Sequence, residues 1–340
     1  MRYSLVNRVR GTFLGALVGE SFAKASEKQS QIHLEQHHSQ SLLDGGSNRD
    51  RSTFTRIRGV ELSSGNWQKL ALLGAESLIE LGRFDFDDWV KRQQQAGIIL
   101  EASALSSPEI ILTTLPVALF CHENLIKLRQ SLLDVVKIWD NHPLVQDWAL
   151  VMGYAIAQSL TDKLTPLSLI PQAISFLGDT STTVPQILFK LNNLLEKHTS
   201  LEKTQVEFNR EDKLSYTMTM AFYCFLSTLE EFRLAILRVN QVNLHSPQMS
   251  AITGALSGTY NSTLGIPISW HFLFAKTCSA QWHLTNFSQM LQLADALIAT
   301  WSGVYRPALE QSKTSEEKWA RTSSAVLPQA IAAPRVIRLR

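Results

Sequence analysis

Two carboxylates, Glu20 and Glu27, stand seven residues apart in the first helical stretch of this 340-residue chain. Seven residues is nearly two turns, so both share a face if the helix continues that far. A carboxylate pair on one face can do general acid–base work. The alternative is two solvated charges at a helix end, since Glu is almost never buried unpaired. His33, His37 and His38 form an H-x3-H-H run, and on a helix His33 and His37 would share a face. Two imidazoles with no Cys or Asp nearby make a weak metal signal, and exposed loop histidines are the alternative. Cys121, Cys224 and Cys278 are widely spaced in apolar surroundings. They read as buried free thiols in a reducing compartment, not as a disulfide set or a zinc site.

The elements that must position these groups are helical. Residues 7–25 put Gly11, Gly15 and Gly19 on one face of a helix. Residues 67–81, WQKLALLGAESLIEL, have amphipathic helical spacing closed by Gly82. Asp85, Asp87 and Asp88 enrich the start of the next helix. Residues 123–161 predict two helices around Trp139–Pro143, and Thr165-Pro166 starts another. A further helix and a charged linker occupy 179–205, and paired helices occupy 213–226 and 229–240. Ser246-Pro247 opens a helix with an N-cap hydroxyl and a proline at its first position. In it Ile252, Leu256 and Tyr260 form an apolar ridge, while Gly254 and Gly258 make a smooth stripe. Each Gly costs about 1 kcal/mol relative to Ala, so close approach of another helix is the reason for them. Leu264–Pro267 ends that helix, and Leu291, Ala294, Leu297 and Ile298 mark the last one.

The remaining stretches are not periodic. Residues 28–62 are polar, contain Gly45-Gly46 and read as a long loop. Residues 306–327 read as a flexible linker. The tail 328–340, with Pro334, Arg335, Ile337, Arg338 and Arg340, is either a fraying terminus or a docking peptide for a partner protein.

Composition bounds the rest. Apolar content of 45% with 18% charged residues fits a soluble globular chain. A net charge of +2 does not suggest a nucleic-acid or membrane binder. No run reaches the roughly 18 apolar residues of a membrane span. Arg2, Arg8 and Arg10 precede an apolar run, and Ala23-Lys24-Ala25 mimics a signal-peptidase site. The run Thr12–Val18 is barely long enough for a secretory signal, so a cytoplasmic location is expected.

Arg8, Gly11, Gly15, Gly19, Glu20 and Glu27 at one end, Glu76-Ser77-Leu78 and Pro116 in between, and Gly254, Gly258, Ile266, Pro267 and Trp270 at the other fall in a recognisable order. Over about residues 6–300 the chain resembles the ADP-ribosylglycohydrolase family, which includes the dinitrogenase reductase-activating glycohydrolases. The resemblance implies an all-α fold, a compact orthogonal multi-helix bundle over residues 1–305. In the family two magnesium ions, held by Asp and Thr side chains, bind ADP-ribose and help cleave its glycosidic bond at C1″. By the resemblance Glu20 stands for a family Asp, and Glu27 matches a family Glu. The first metal motif falls on Gly65, Asn66, Trp67 and Gln68. The two Asp and the Thr of the second fall on His245, Pro247 and Gln248. Thr113 stands where the family has an Arg, and Trp139-Asp140 where it has Thr-His.

Magnesium is a hard cation that wants oxygen ligands, usually carboxylates. Two such ions roughly 4 Å apart repel strongly and need several anions. Pro247 has nothing to offer, and the nitrogen of His245 suits zinc or another transition metal. No metal or other cofactor is therefore expected. The reading that follows is a catalytically inactive member that binds or scaffolds a protein partner, its pocket filled by Trp67 and Trp139. A second reading is a hydrolase with an altered site, Glu27 as general base beside Glu20, Asn66, His245 and Gln248, with or without one transition metal. A third is an ADP-ribose sensor without turnover.

Overall fold

The computed structural model describes residues 3–43, 67–98, 105–270 and 287–304. Among them are fourteen α-helices and no strand, which is the all-α architecture expected. The tail residues Pro334, Arg335, Ile337, Arg338 and Arg340, the third cysteine Cys278, and Asn66 lie outside the described residues.

Helix α1 runs Leu5–Leu43, well past the expected end at residue 25, so the first part of the presumed loop 28–62 is helical. The reason lies in what the stretch lacks. From Glu20 to Leu43 there is neither Gly nor Pro, and the first breaker is Gly45-Gly46. Helix α2 (Trp67–Leu81) has the expected bounds, and Gly82 closes it at φ +63°, its N–H bonded to the Leu78 carbonyl at 2.9 Å. Helix α3 (Phe86–Gln95) starts on Asp85, whose carboxylate accepts from Asp88 N–H at 3.1 Å. Two short helices follow, α4 (Ser107–Thr113) and α5 (Leu115–Phe120), then α6 (Leu125–Val136) and α7 (Pro143–Leu160).

Helix α8 (Pro166–Leu177) starts where Thr165-Pro166 predicts, although the Thr165 hydroxyl bonds to Ser168 Oγ and not to a backbone N–H. Helix α9 (Val184–Glu196) is followed by α10 (Leu201–Phe208), so the end of the expected charged linker is helical too. Helices α11 (Lys213–Ser227) and α12 (Phe232–Val239) form the expected pair. Helix α13 (Pro247–Asn261) begins on Ser246, whose Oγ accepts from Met249 N–H at 3.1 Å. It stops three residues before Leu264, because the chain turns at Ser262, φ +59°, into a short 3-10 turn, Thr263–Gly265. Helix α14 (Phe287–Trp301) is the last.

The core sits where α7, α11 and α13 meet. Residues Asp147–Leu160, Leu214–Leu226 and Met249–Thr259 are buried without interruption. Burying side chains such as Ile252, Leu256 and Phe222 contributes roughly 1.5–3 kcal/mol each. The predicted thiols Cys121 and Cys224 are free and buried in this core.

Helix α1 is strapped antiparallel along α13. A Cβ on Gly11 would come within 2.2 Å of the Gly258 carbonyl oxygen, on Gly15 within 2.0 Å of Gly254, and on Gly19 within 2.1 Å of Ser250. The two backbones touch along three turns, which is what the glycine stripes on both helices are for. Thr12 and Thr259 share a hydroxyl hydrogen bond of 2.8 Å in the same seam. Arg8 ties α1 to the end of α7, its guanidinium donating to the Ser159 carbonyl and to Asp162 Oδ1 at 2.6 Å. Arg10 ties it to α14 through Asp295, at 2.6 Å from Nε.

Candidate functional site

The register of α1 on α13 decides where the acidic residues go. With Gly19 against Ser250, the next turn of α1 lies beside the start of α13, where His245, Pro247 and Gln248 sit. Helix α4 packs on both α2 and α13. Segments distant in sequence are thereby brought together, α1 with α13 and α4 with both α2 and α13.

Glu20 is the centre of this region. Its side chain is 1% exposed. Oε1 is 2.8 Å from Lys24 Nζ, one turn along α1. Oε2 accepts from Gln68 Nε2 at 2.5 Å, which joins α1 to the first turn of α2. Both carboxylate oxygens are thus engaged, one by a cation and one by an amide. Glu27 is half-buried on α1.

Gln248 donates from Nε2 to Glu109 Oε1 at 3.3 Å, joining α13 to α4. Glu109 is buried, and its Oε2 accepts from the Ser106 N–H at 2.8 Å and the Ser106 hydroxyl at 2.7 Å. This carboxylate closes the start of α4 and has no free oxygen. His245 is half-buried, and its Nε2 makes no hydrogen bond among the described residues. Pro247 occupies the first position of α13 and brings only a ring.

The bulky candidates are both inside. Trp67 is fully buried at the first position of α2. Trp139, 8% exposed, meets the edge of Trp89 with ring centroids 5.9 Å apart. Thr113 is buried, and its hydroxyl is spent on the Ile110 carbonyl at 2.6 Å. His142 is an N-cap: its Nδ1 accepts from Leu144 N–H at 3.3 Å at the start of α7. His33, His37 and His38 lie in α1, with side chains outside the described residues. Among the described residues no three or more His, Cys, Asp or Glu side chains gather closely enough to hold a metal ion.

Two members of this region are not among the sequence candidates. Lys24 stands at i+4 from Glu20, the spacing that pairs opposite charges on a helix. Glu109 completes a Ser-x-x-Glu capping box with Ser106. Both local signals are present in the sequence. What it does not show is that Gln68 and Gln248 reach these carboxylates across the fold.

A family model of the ADP-ribosylglycohydrolases matches residues 1–307. The chain is similar in fold to a solved structure described as an ADP-ribosylglycohydrolase-related protein complex, with a TM-score of 0.57 and 16% identity over 88% of this chain and 99% of that one. No curated protein matches it.

Proposed function

The chain belongs to the ADP-ribosylglycohydrolase family, and from that premise we propose that it is a catalytically inactive member acting as a binding or scaffolding protein. The observation that carries the reading is the closure of Glu20 by Lys24 and Gln68. An ammonium lies where a divalent cation would need to approach that carboxylate. Magnesium would have to displace a like charge and an amide donor and then find further anionic oxygens. Trp67, Gln68, His245 and Pro247 supply none, both oxygens of Glu109 are held by Ser106 and Gln248, and Glu27 is the one further carboxylate among the candidates. This donor set does not fit two magnesium ions, and no catalytic step is routed through them.

Bulk supports the same reading. Trp67 and Trp139 are inside the protein, where the family has small polar residues by the resemblance. The interaction surface we propose is the tail 328–340, whose arginines and apolar residues suit a protein partner. Among the described residues no helix is long and apolar enough to cross a membrane.

One observation favours the altered hydrolase: His245 Nε2, which has no hydrogen-bond partner among the described residues, is a nitrogen suited to a transition metal. Calorimetric titration with ADP-ribose, alone, with magnesium and with zinc, separates the readings. It is paired with an assay for ADP-ribose release from ADP-ribosylated protein. We expect no binding and no release in any arm. Binding that needs zinc, with release abolished by Glu27→Gln, would establish the altered hydrolase. Metal-independent binding without release would establish a sensor.

A further inference from the structure

A cavity of about 280 Å³ opens where the start of α8, the last turns of α9 and α11, and α12 meet. It shares no residue with the region around Glu20 and Glu109. Its apolar side is formed by Pro166, Leu167, Leu194, Leu195 and Leu226, and the rest of its lining is polar, including Glu196 and His198. Its cation is Arg238, which is half-buried. The guanidinium lies over the Tyr223 ring, 5.2 Å from the centroid, and Nη2 donates to the Tyr223 oxygen at 3.3 Å. Tyr223 is itself anchored, its hydroxyl donating to the Thr199 carbonyl at 2.5 Å. Arg238 is therefore held in place before any ligand arrives.

Arg238 has N–H donors to spare, while Glu196 at the exposed edge of the lining is the one carboxylate among the lining residues. A guanidinium has five N–H donors, and Arg238 uses one of them, on Tyr223, among the described residues. The carbonyls at the end of α9 are taken: Leu194 accepts from Thr199 N–H and Leu195 from His198 N–H. At the end of α11 the Cys224 carbonyl accepts from the Thr228 hydroxyl at 2.7 Å. The Glu196 carboxylate stands in solvent and accepts from Asn192 at 2.6 Å. Glu202 acts on Arg238 only at a distance, from the exposed start of α10. From α8 the lining takes Pro166, which has no N–H, and Leu167.

We infer that this cavity binds a small monocarboxylate with an apolar body, its carboxylate on Arg238 and its body against the leucines. The volume is at or below the small end of the roughly 300–1,000 Å³ range of ligand sites. It suits a single ring or a short chain and is too small for a dinucleotide. Charge and shape work together here, because a planar guanidinium matches a carboxylate with two parallel hydrogen bonds.

The test is titration of the full chain with hexanoate and benzoate, followed by calorimetry and saturation-transfer NMR. The uncharged hexanol and benzyl alcohol, and inorganic phosphate, serve as controls. We expect at least one carboxylate to bind, with its alcohol weaker by about tenfold or more, and phosphate not to bind. Arg238→Met keeps a stem over Tyr223 and should remove that preference for the carboxylate. Leu167→Glu changes a residue 72% exposed at the rim, so folding is not at stake, and it should weaken the carboxylate about tenfold by placing a like charge at the mouth. If Arg238→Met does not fold, Leu167→Glu decides. No signal from either carboxylate at millimolar concentration overturns the inference, as does equal affinity for carboxylate and alcohol. Phosphate binding as tightly as the carboxylates would also overturn it, since the apolar body would then contribute nothing.

Discussion

Glu20 carries a charge into a nearly waterless place, and Lys24 and Gln68 are what keep it there. A buried ion pair is a weak source of stability when intact, because both groups lose their hydration. Removing one partner is different, since the other charge is left uncompensated at a cost of about 3–5 kcal/mol. Lys24 is one-quarter exposed, so the lower end applies. Lys24→Ala is expected to lower the unfolding free energy by about 3 kcal/mol, measured by urea titration at neutral pH. The triple change Glu20→Leu, Lys24→Leu and Gln68→Leu should recover most of that loss, whereas Glu20→Leu with Lys24→Leu alone leaves the buried Gln68 amide without its acceptor. Millimolar magnesium added to Lys24→Ala should recover none, because Glu20 and at most Glu27, with an amide, are too few anionic ligands for a hard divalent ion. Recovery by magnesium would mean that the ammonium substitutes for a metal the site still accepts.

The glycine seam sets the geometry around that residue. Gly15 faces Gly254 so closely that a methyl group on either would overlap the other's carbonyl oxygen at 2.0 Å. The obstacle is backbone, so no rotamer change relieves it. Gly15→Ala would gain about 1 kcal/mol of helix propensity, yet overpacking that costs up to about 3 kcal/mol should outweigh it. The variant is expected to lower the urea midpoint, with Gly254→Ala doing the same. The seam was legible in the sequence because glycine at four-residue spacing in two helices has little other use. Helix starts were legible for a similar reason: Ser246-Pro247, Asp85 and Thr165-Pro166 each carry local chemistry at the right position. The ends were less so. Helix α1 continues because nothing after Glu20 stops it before Gly45. Helix α13 stops early because Ser262 adopts a positive φ that no glycine announced. The candidate site was half legible. Glu20, Gln68 and Gln248 were named from the resemblance, but their partners Lys24 and Glu109 were not, since which carboxylate meets which amide depends on packing between four helices.

At the scale of the whole molecule, a net charge of +2 leaves little self-repulsion near neutral pH, so the pH dependence of stability belongs to individual buried groups. His122 sets the acid side. Its ring is buried against Trp301, centroids 4.8 Å apart, and Nδ1–H donates to the Leu119 carbonyl at 2.7 Å, so it links the end of α5 to α14. Burial pushes its pKa below the ordinary 6.5, outweighing the Leu119 bond and nearby Glu123. The unfolded chain then binds a proton near 6.5 that the folded chain refuses. This contribution is complete above that pH and is lost as pH falls through 6.5 toward the lower folded value. Cys224 sets the alkaline side. Burial pushes its thiol from 9.0 up to about 12, against the opposing pull of Arg238. Here the folded state keeps a proton that the unfolded chain gives up, so stability is full below 9.0 and falls as pH rises toward about 12, by about 1.4 kcal/mol per pH unit. Burial moves Cys121 in the same direction. Urea midpoints measured from mildly acidic to alkaline pH should therefore trace a plateau between 6.5 and 9.0 with a fall on each side. His122→Phe keeps a ring against Trp301 and should flatten the acid fall while leaving the alkaline one. Cys224→Ala should lower the plateau through the cavity it leaves and make the alkaline fall shallower, with Cys121, Tyr154 and Tyr216, all raised by burial, supplying the remainder. An acid fall that survives in His122→Phe would assign it to carboxylates and would mean that the joint between α5 and α14 does not feel the proton.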